Sequence, residues 1–146
     1  MDFVEAMKWY LMAAKNGDAS TQNKLGGMYF RGEGVPKNRQ QAVKWLRLAA
    51  RQGFSLALNN LGRWYYEENA GYMSYFKAFK FFRMAAVQGD VIAQANLGIM
   101  YAEGKGVTRN LAEALKWLGL AAEQGDSVAK AQFEAINSVE LSVRIR

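Results

Sequence analysis

Side chains capable of acid–base or nucleophilic chemistry are scarce in this sequence. Its 146 residues include no cysteine and no histidine, which excludes disulfides, thiolate metal sites, cysteine nucleophiles and histidine-based triads. Carboxylates are the remaining general acids and bases, and their one adjacent pair is Glu67 and Glu68. Neighbouring residues on a helix do not face each other, so this pair fits a solvated helix end better than a catalytic dyad. We therefore expect no enzyme activity, no cofactor and no metal site.

Basic side chains are placed more regularly. The formal net charge is +6, and lysines and arginines recur at i, i+3 and i+7 on successive predicted helices. The candidate anion ridge on these helices consists of Lys44, Arg47, Lys80 and Arg83. This ridge is either a solvated outer face or a surface for an acidic protein, anionic lipid or nucleic acid. No base-reading motif accompanies it, so nucleic acid is the least expected partner, and no apolar run is long enough to span a membrane.

The elements that hold these side chains repeat at a constant interval. Four tetrapeptides of the form Ala-x-Lys-aromatic begin 36 residues apart, at Ala6, Ala42, Ala78 and Ala114. A fixed period of roughly 20–50 residues is typical of stacked repeats, in which each unit buries its apolar face against its neighbours. We predict a single repeat domain over residues 1–146, composed of a half-repeat helix at 1–17, repeats at 18–53, 54–89 and 90–125, and a C-terminal capping helix with a tail at 126–146.

Each repeat contains two amphipathic segments, which we call helix A and helix B. In the first full repeat, Thr21, Leu25, Met28 and Tyr29 follow the i, i+4, i+7, i+8 spacing of a helical stripe. The same pattern along the chain predicts helices at 3–15, 18–31, 38–52, 54–67, 74–88, 90–103, 110–124 and from 126 onward. Beyond Asn137, apolar and polar residues alternate, so we expect the tail to fray or run extended.

Capping residues and glycines mark the repeat boundaries and crossings. The residues expected to cap the N-termini of A helices are Asp18, Asp90 and Asp126, and those expected to cap B helices are Asn38, Ser74 and Asn110. Glycines also recur inside the A helices, at Gly26, Gly62 and Gly98. A glycine inside a helix costs about 1 kcal/mol relative to alanine, so its recurrence indicates a close crossing between two helices.

The combined motifs are similar to those of one known family. Leu25 to Tyr29, Gly32 to Val35, Ala42 to Trp45 and Ala49 to Gly53 together resemble the Sel-one-like repeat (SLR), an α/α branch of the tetratricopeptide superfamily. The resemblance implies an all-α, right-handed superhelical solenoid of about eight antiparallel helices. It also implies a scaffold or adaptor that binds proteins or peptides, in a family whose bacterial members are commonly exported or act in signalling and host contact. Glu68 to Gly71 depart from the family pattern, because they replace the Gly-x-Gly-Val link between helices A and B.

The resemblance further implies that the A helices line a concave groove and that this groove binds a peptide. The helix A positions assigned to the groove are Asn23, Phe30, Arg31, Asn59, Asn60, Arg63, Tyr66 and Asn96. Asparagine amides can hold an extended backbone, arginine can clamp a carboxylate, and aromatic rings offer apolar contact. The alternative is that Asn23 and Asn59 only bridge adjacent A helices.

Aromatic residues are concentrated just after the altered link. Tyr72, Met73, Tyr75 and Phe76 occupy positions that are polar in the other repeats. This segment is either a loop that packs down over the altered link or an exposed apolar patch.

The first helix B has no helix A before it in this sequence. Trp9, Leu11 and Met12 should therefore have fewer neighbours than Trp45. We expect either homodimerisation through residues 1–15 or upstream sequence that covers them. No signal peptide is visible, but the chain begins inside a repeat, so an exported bacterial parent is one expectation.

Overall fold

The computed structural model describes residues 2–68 and 71–145; Asn69 and Ala70, which belong to the altered link, lie outside the described residues. Over these residues the chain forms only helices: α1 (Phe3–Lys15), α2 (Ala19–Arg31), α3 (Arg39–Arg51), α4 (Ser55–Glu68), α5 (Tyr72–Val87), α6 (Val91–Glu103), α7 (Leu111–Glu123) and α8 (Ser127–Ile145). Each predicted helix is therefore confirmed within about two residues of its expected bounds. In the part of the chain that the structure describes, no helix has the length and apolar character of a membrane-spanning segment.

Most of the predicted N-caps are confirmed. The side chains of Asn38 and Asn110 each accept the backbone N–H three residues on, at 3.1 Å. Asp90 and Asp126 do the same at 2.9 and 2.8 Å. These bonds satisfy donors that have no partner within the helix, which is why α3, α6, α7 and α8 begin where they do.

Two of the capping assignments need correction. Asp18 precedes α2, but its side chain bonds the Thr21 hydroxyl instead of a backbone N–H. Ser74 is not a cap, because α5 already begins at Tyr72 and Ser74 lies buried inside it. Gly71, with φ of +96°, turns the chain into α5 at a conformation that other residues rarely adopt. The predicted loop over 72–76 is therefore wrong, since these residues form the first turns of a helix.

The extended tail is also wrong, because α8 continues to Ile145. A period-two pattern forms a strand only when a neighbouring strand receives its hydrogen bonds, whereas a helix satisfies its own backbone. The side chains of Val139, Leu141 and Val143 stay exposed in this helix. A pair between the partly buried Glu140 and the exposed Arg144, at i and i+4, adds minor support.

The recurring glycines inside the A helices mark close crossings, as predicted. A Cβ atom at Gly26 would lie 2.6 Å from Cγ of Leu46 in α3. Cβ atoms at Gly62 and Gly98 would each lie 2.7 Å from a side chain of the next helix. Only a residue without a side chain allows this approach.

The chain forms two compact units that divide between Leu61 and Gly62, inside α4. The core of the first unit includes Met7, Ala14, Leu25, Met28 and Trp45. A core cluster of the second unit consists of Ala95, Leu118, Ala121 and Ala129, with Phe133 of α8 packed against it. Each unit thus has an apolar core of its own, which holds the outward-facing residues of its A helices in place.

Candidate functional site

A pocket of about 370 Å³ lies in the second unit between α4 and α6. Three of the predicted groove residues line it: Arg63, Tyr66 and Asn96. The remaining lining residues are Glu67, Phe82, Ile99 and Met100. On α4 the lining residues fall at i, i+3 and i+4, and those of α6 have the same spacing, so each helix offers one face to the pocket.

The floor of the pocket is apolar and its rim is charged. Met100 and Phe82 are buried, with 1% and 3% of their surfaces exposed. Arg63 and Glu67 stand at the rim with side chains 68% and 64% exposed, and Arg63 Nε lies 4.0 Å from Glu67 Oε1. A pair this exposed contributes little to stability.

Tyr66 is fixed in place by a polar cluster at the end of the pocket. Its hydroxyl donates to Glu103 at 3.2 Å and accepts from Lys105 Nζ at 3.1 Å. The bonds to Tyr66 and then to Glu103 raise the pKa of Lys105 well above its usual value. The Lys105 ammonium also lies over the rings of Tyr66 and Tyr75, at 5.3 and 5.5 Å from their centres. Tyr66 therefore gives the pocket a wall with a fixed orientation.

The groove residues of the first unit make bonds to their own neighbours. Asn60 Nδ2 donates to Asn23 Oδ1 at 2.9 Å, so Asn23 bridges two A helices, α2 and α4, through Asn60. Asn59 is buried, with 7% of its surface exposed. Glu33 accepts two bonds from Arg31, at 2.8 and 3.1 Å. Bonding to Glu33 raises the pKa of Arg31 and lowers that of Glu33. Phe30 is the groove residue in this unit that keeps a large exposed apolar surface.

All four residues of the candidate anion ridge are exposed. Lys44 and Arg47 lie on α3 in the first unit, and Lys80 and Arg83 lie on α5 in the second. Lys44 Nζ stands 5.6 Å from the ring centre of its neighbour Trp45. Their exposure is compatible with both a solvated face and a binding surface.

The segment from Tyr72 to Phe76 is helical and not a loop, and it has one packed side and one exposed side. Tyr75 packs edge-on against Tyr66 at 5.2 Å between ring centres. Tyr72, Met73 and Phe76 point outward and stay exposed. One side of this helical turn thus packs against Tyr66 of α4, and the other side forms an exposed apolar patch.

The first helix leaves the predicted apolar surface uncovered. Trp9 is 66% exposed, whereas Trp45, at the equivalent repeat position, is 6% exposed. Met12 is exposed and Leu11 is partly buried against the core of the first unit. The lower number of neighbours expected for this end is confirmed, and dimerisation through it stays a prediction.

Sequence reasoning missed a set of structural glutamines. Gln22 donates to the carbonyl of Ala14 at 3.0 Å, and Gln52 donates to Gly17 O and to Gln22 at 2.9 and 3.0 Å. In the second unit, Gln94 and Gln124 bond Ala86 O, Gly89 O and each other in the same way. Each pair satisfies carbonyls at the end of a B helix. The pattern can be found in the sequence at a spacing of two repeats, which separates Gln22 from Gln94. It is absent at a spacing of one repeat, because Leu58 occupies that position in the repeat between them.

Comparisons with known proteins agree with this architecture. A sequence profile of the Sel1 repeat matches residues 2–18, 19–54, 55–90 and 91–126. A crystal structure of a Sel1 repeat protein from Oxalobacter formigenes is 32% identical, covers 89% of this chain and 98% of its own, and superimposes with a TM-score of 0.80. Cysteine-rich protein B of Helicobacter pylori is 23% identical over 89% of this chain and 93% of its own, with a TM-score of 0.66, and shares the fold. No curated protein matches the sequence. The predicted all-α repeat solenoid is thus confirmed, and both solved relatives are bacterial, consistent with the bacterial origin expected from the resemblance.

Proposed function

This chain belongs to the Sel1 repeat family, and from that premise we propose that it binds a peptide segment of a partner protein in the pocket between α4 and α6. Sel1 repeat proteins are generally scaffolds without catalysis that mediate protein interactions. The observation that carries the proposal is the pocket itself, in which Arg63, Tyr66 and Asn96 meet over an apolar floor.

The chemistry of the lining defines the expected ligand. The floor of Phe82, Ile99 and Met100 suits one large apolar side chain. The guanidinium of Arg63 is a bidentate partner for a carboxylate at the rim. The amide of Asn96 both donates and accepts, so it suits the backbone of an extended peptide. The ligand is therefore a short extended segment in which an apolar residue lies next to an acidic residue or a C-terminal carboxylate.

The groove residues of the first unit have a smaller part in this proposal. Asn23, Asn60 and Arg31 already bond their own neighbours, so they shape the A-helix face. Phe30 supplies an exposed ring for a peptide that extends beyond one pocket. Asn59 is buried, so it offers little surface to a peptide.

A displayed library of random peptides, selected against the purified protein, tests the proposal. We expect enriched sequences to place an acidic residue or the C-terminus beside a large apolar residue. Arg63→Ala and Asn96→Ala should each weaken binding of these peptides by about tenfold, equivalent to ~1.4 kcal/mol. Arg144→Ala is a matched control, because Arg144 is also exposed and also stands 4.0 Å from a glutamate one helical turn away. Equal losses in the control variant, or normal binding by both pocket variants, would contradict the proposal.

Binding through the basic outer helix faces is the alternative function. The positive charge that Lys44, Arg47, Lys80 and Arg83 share supports it. Affinity that collapses with added salt and is lost on charge reversal of these residues, while Arg63→Ala has no effect, would support this alternative.

A further inference from the structure

The solvent-facing side of α5 is apolar as well as basic. We define the α5 face as Tyr72, Met73, Phe76, Lys77, Lys80, Arg83, Met84 and Val87, all of which are exposed. Its apolar members are between 38% and 70% exposed. At 3.6 residues per turn the eight side chains occupy one arc of about 140°. The helix Tyr72–Val87 contains no aspartate or glutamate.

The repeat itself does not require this surface. At the equivalent positions of α3 and the link before it, Lys37, Gln40 and Arg51 replace Met73, Phe76 and Val87. These α3-side residues are polar and exposed, as expected for a B helix that faces only water. Lys44 and Lys80, in contrast, occupy the same repeat position, so the two helices share a charge and differ in apolar surface. Met73, Phe76 and Val87 therefore need a reason other than folding, whereas Met84 has an apolar counterpart in Leu48.

We propose that the α5 face docks an acidic amphipathic segment of a partner protein, separately from the peptide pocket between α4 and α6. Aromatic residues, methionine and arginine are the types enriched in protein interfaces, and an exposed apolar patch marks an interaction site. The charge on the face is wholly positive, so an acidic partner is complementary and a second copy of the same face is repelled.

The order of residues along the helix gives the partner a pattern. Tyr72, Met73 and Phe76 lie at one end, Met84 and Val87 lie at the other, and the basic residues lie between them. From Phe76 to Met84 the helix rises by about 12 Å. The partner segment should therefore present two apolar groups about this far apart, with acidic residues between them.

The arrangement favours a protein over a lipid surface. A helix that lies in a membrane interface separates its apolar face from its basic face. Here Arg83, Lys80 and Lys77 cross the middle of the same arc that holds the apolar residues. Insertion of Phe76 and Met84 into the acyl region would take the Lys80 ammonium down with them, which costs free energy.

A selection from a displayed library of helical segments tests the proposal. The wild-type chain is the bait, and the chain with Phe76→Gln and Lys80→Glu is the counter-selection target. Phe76→Gln copies the residue that α3 carries at Gln40, so folding should be kept. We expect the enriched segments to show the apolar–acidic–apolar pattern, and each single substitution to weaken their binding by about tenfold.

Three controls separate the outcomes. Lys44→Glu changes the charge at the same repeat position on α3 and should leave binding unchanged, as should Arg63→Ala in the peptide pocket. Phosphatidylserine vesicles should not compete for the wild-type chain. The proposal is overturned if no such pattern is enriched, if Lys44→Glu weakens binding as much as Lys80→Glu, or if the vesicles bind and displace the selected segments. Loss of binding in Arg63→Ala alone would assign the segments to the pocket and also overturn it.

Discussion

In the first unit three groove residues bond neighbouring side chains of that unit, whereas in the second unit three groove residues line a pocket. Asn60 donates to Asn23, and Glu33 holds Arg31, so these polar side chains are used within the unit. Arg63 and Asn96 line an open space above buried apolar side chains, and Arg63 also lies 4.0 Å from Glu67. The backbone pattern is common to both units, so the repeat specifies positions and leaves the chemistry at each position free to differ.

The links between helices A and B show the same contrast. Arg31 and Glu33 form an ion pair in the first unit, and two repeat steps later Glu103 and Lys105 form one with the charges exchanged. The exchange has a consequence in the second unit, because a lysine can bond the Tyr66 hydroxyl as well as the carboxylate. The link is thereby joined to the wall of the pocket.

Breaking the second link at Gly106 should give the largest effect. Gly106 has φ of +70°, and a Cβ atom there would lie 2.3 Å from the carbonyl oxygen of Tyr75, which belongs to the backbone and cannot rotate away. We expect Gly106→Ala to lower the free energy of unfolding by about 3 kcal/mol or more. Gly32→Ala is the first-unit control, with φ of +74°, Cγ of the flexible Lys37 side chain at 3.0 Å and the nearest backbone atom, Lys37 N, at 3.4 Å, and should cost about 1–2 kcal/mol. Urea unfolding measures both, and equal losses would show that the backbone contact at Gly106 adds no cost to its positive φ.

We expect Asn59 in the first unit to contribute to stability and Asn96 in the second unit to contribute to peptide binding. Asn59 is buried, so Asn59→Ala should lower the free energy of unfolding by about 1–3 kcal/mol. Asn96 lines the pocket and is half-buried, so Asn96→Ala should change that free energy by only about 0.5 kcal/mol while it weakens peptide binding. Thermal unfolding and peptide titration of both variants would check the division. A destabilised Asn96→Ala with normal binding would contradict it.

Charge reversal in the two links should destabilise the protein less than the changes above, and more in the second link than in the first. Lys105→Glu removes the ion pair with Glu103, the bond to Tyr66 and the contacts with two aromatic rings. Glu33→Lys removes the ion pair with Arg31 only. We expect the urea midpoint to fall more in Lys105→Glu, and adding Glu103→Arg should restore only the part that is due to the ion pair. Equal losses in Lys105→Glu and Glu33→Lys would mean that the contacts of Lys105 with Tyr66 and Tyr75 add nothing to the ion pair.

The smallest expected effect is the pH dependence of the ion pair between Arg31 and Glu33 in the first link. Arg31 lowers the pKa of Glu33, so the folded carboxylate stays charged below the usual glutamate value of about 4.3. The stabilisation is present above that value and is lost as the pH falls through the lowered pKa. An NMR titration of the Glu33 carboxyl should show the lowered pKa in the wild-type chain and an ordinary one in Arg31→Ala. An unchanged titration in the variant would remove Arg31 as the cause.

Local signals accounted for most of what could be predicted. Asn38 and Asn110 mark helix starts because a capping bond needs only its own first turn, and Gly26 marks a crossing because no other residue fits. The prediction that Ser74 caps a helix was wrong because Gly71 already turns the chain into α5. The prediction of an extended tail beyond Asn137 was wrong because alternating apolar and polar residues do not by themselves supply a partner strand.

The pocket was harder to predict from the sequence than the helices were. Arg63, Tyr66 and Asn96 were assigned to one face from the repeat register, but their grouping over a floor that includes Phe82 depends on the packing of separate helices. The bond between Tyr66 and Lys105 joins residues 39 positions apart that no shared motif connects. Contacts of this kind follow from side-chain lengths and rotamers, which a periodic pattern does not specify.

The glutamine pairs imply a rule for anyone who wishes to lengthen or shorten this array. Gln22 and Gln52 reappear two repeats later as Gln94 and Gln124, whereas the repeat between them has Leu58 at the first position. Excising residues 18–53 would place Leu58 at the position from which Gln22 donates to Ala14 O. Excising residues 54–89 would instead remove Leu58 and place Gln94 at the first position of the following repeat. The repeat to remove or to leave uncopied is thus the one that carries Leu58.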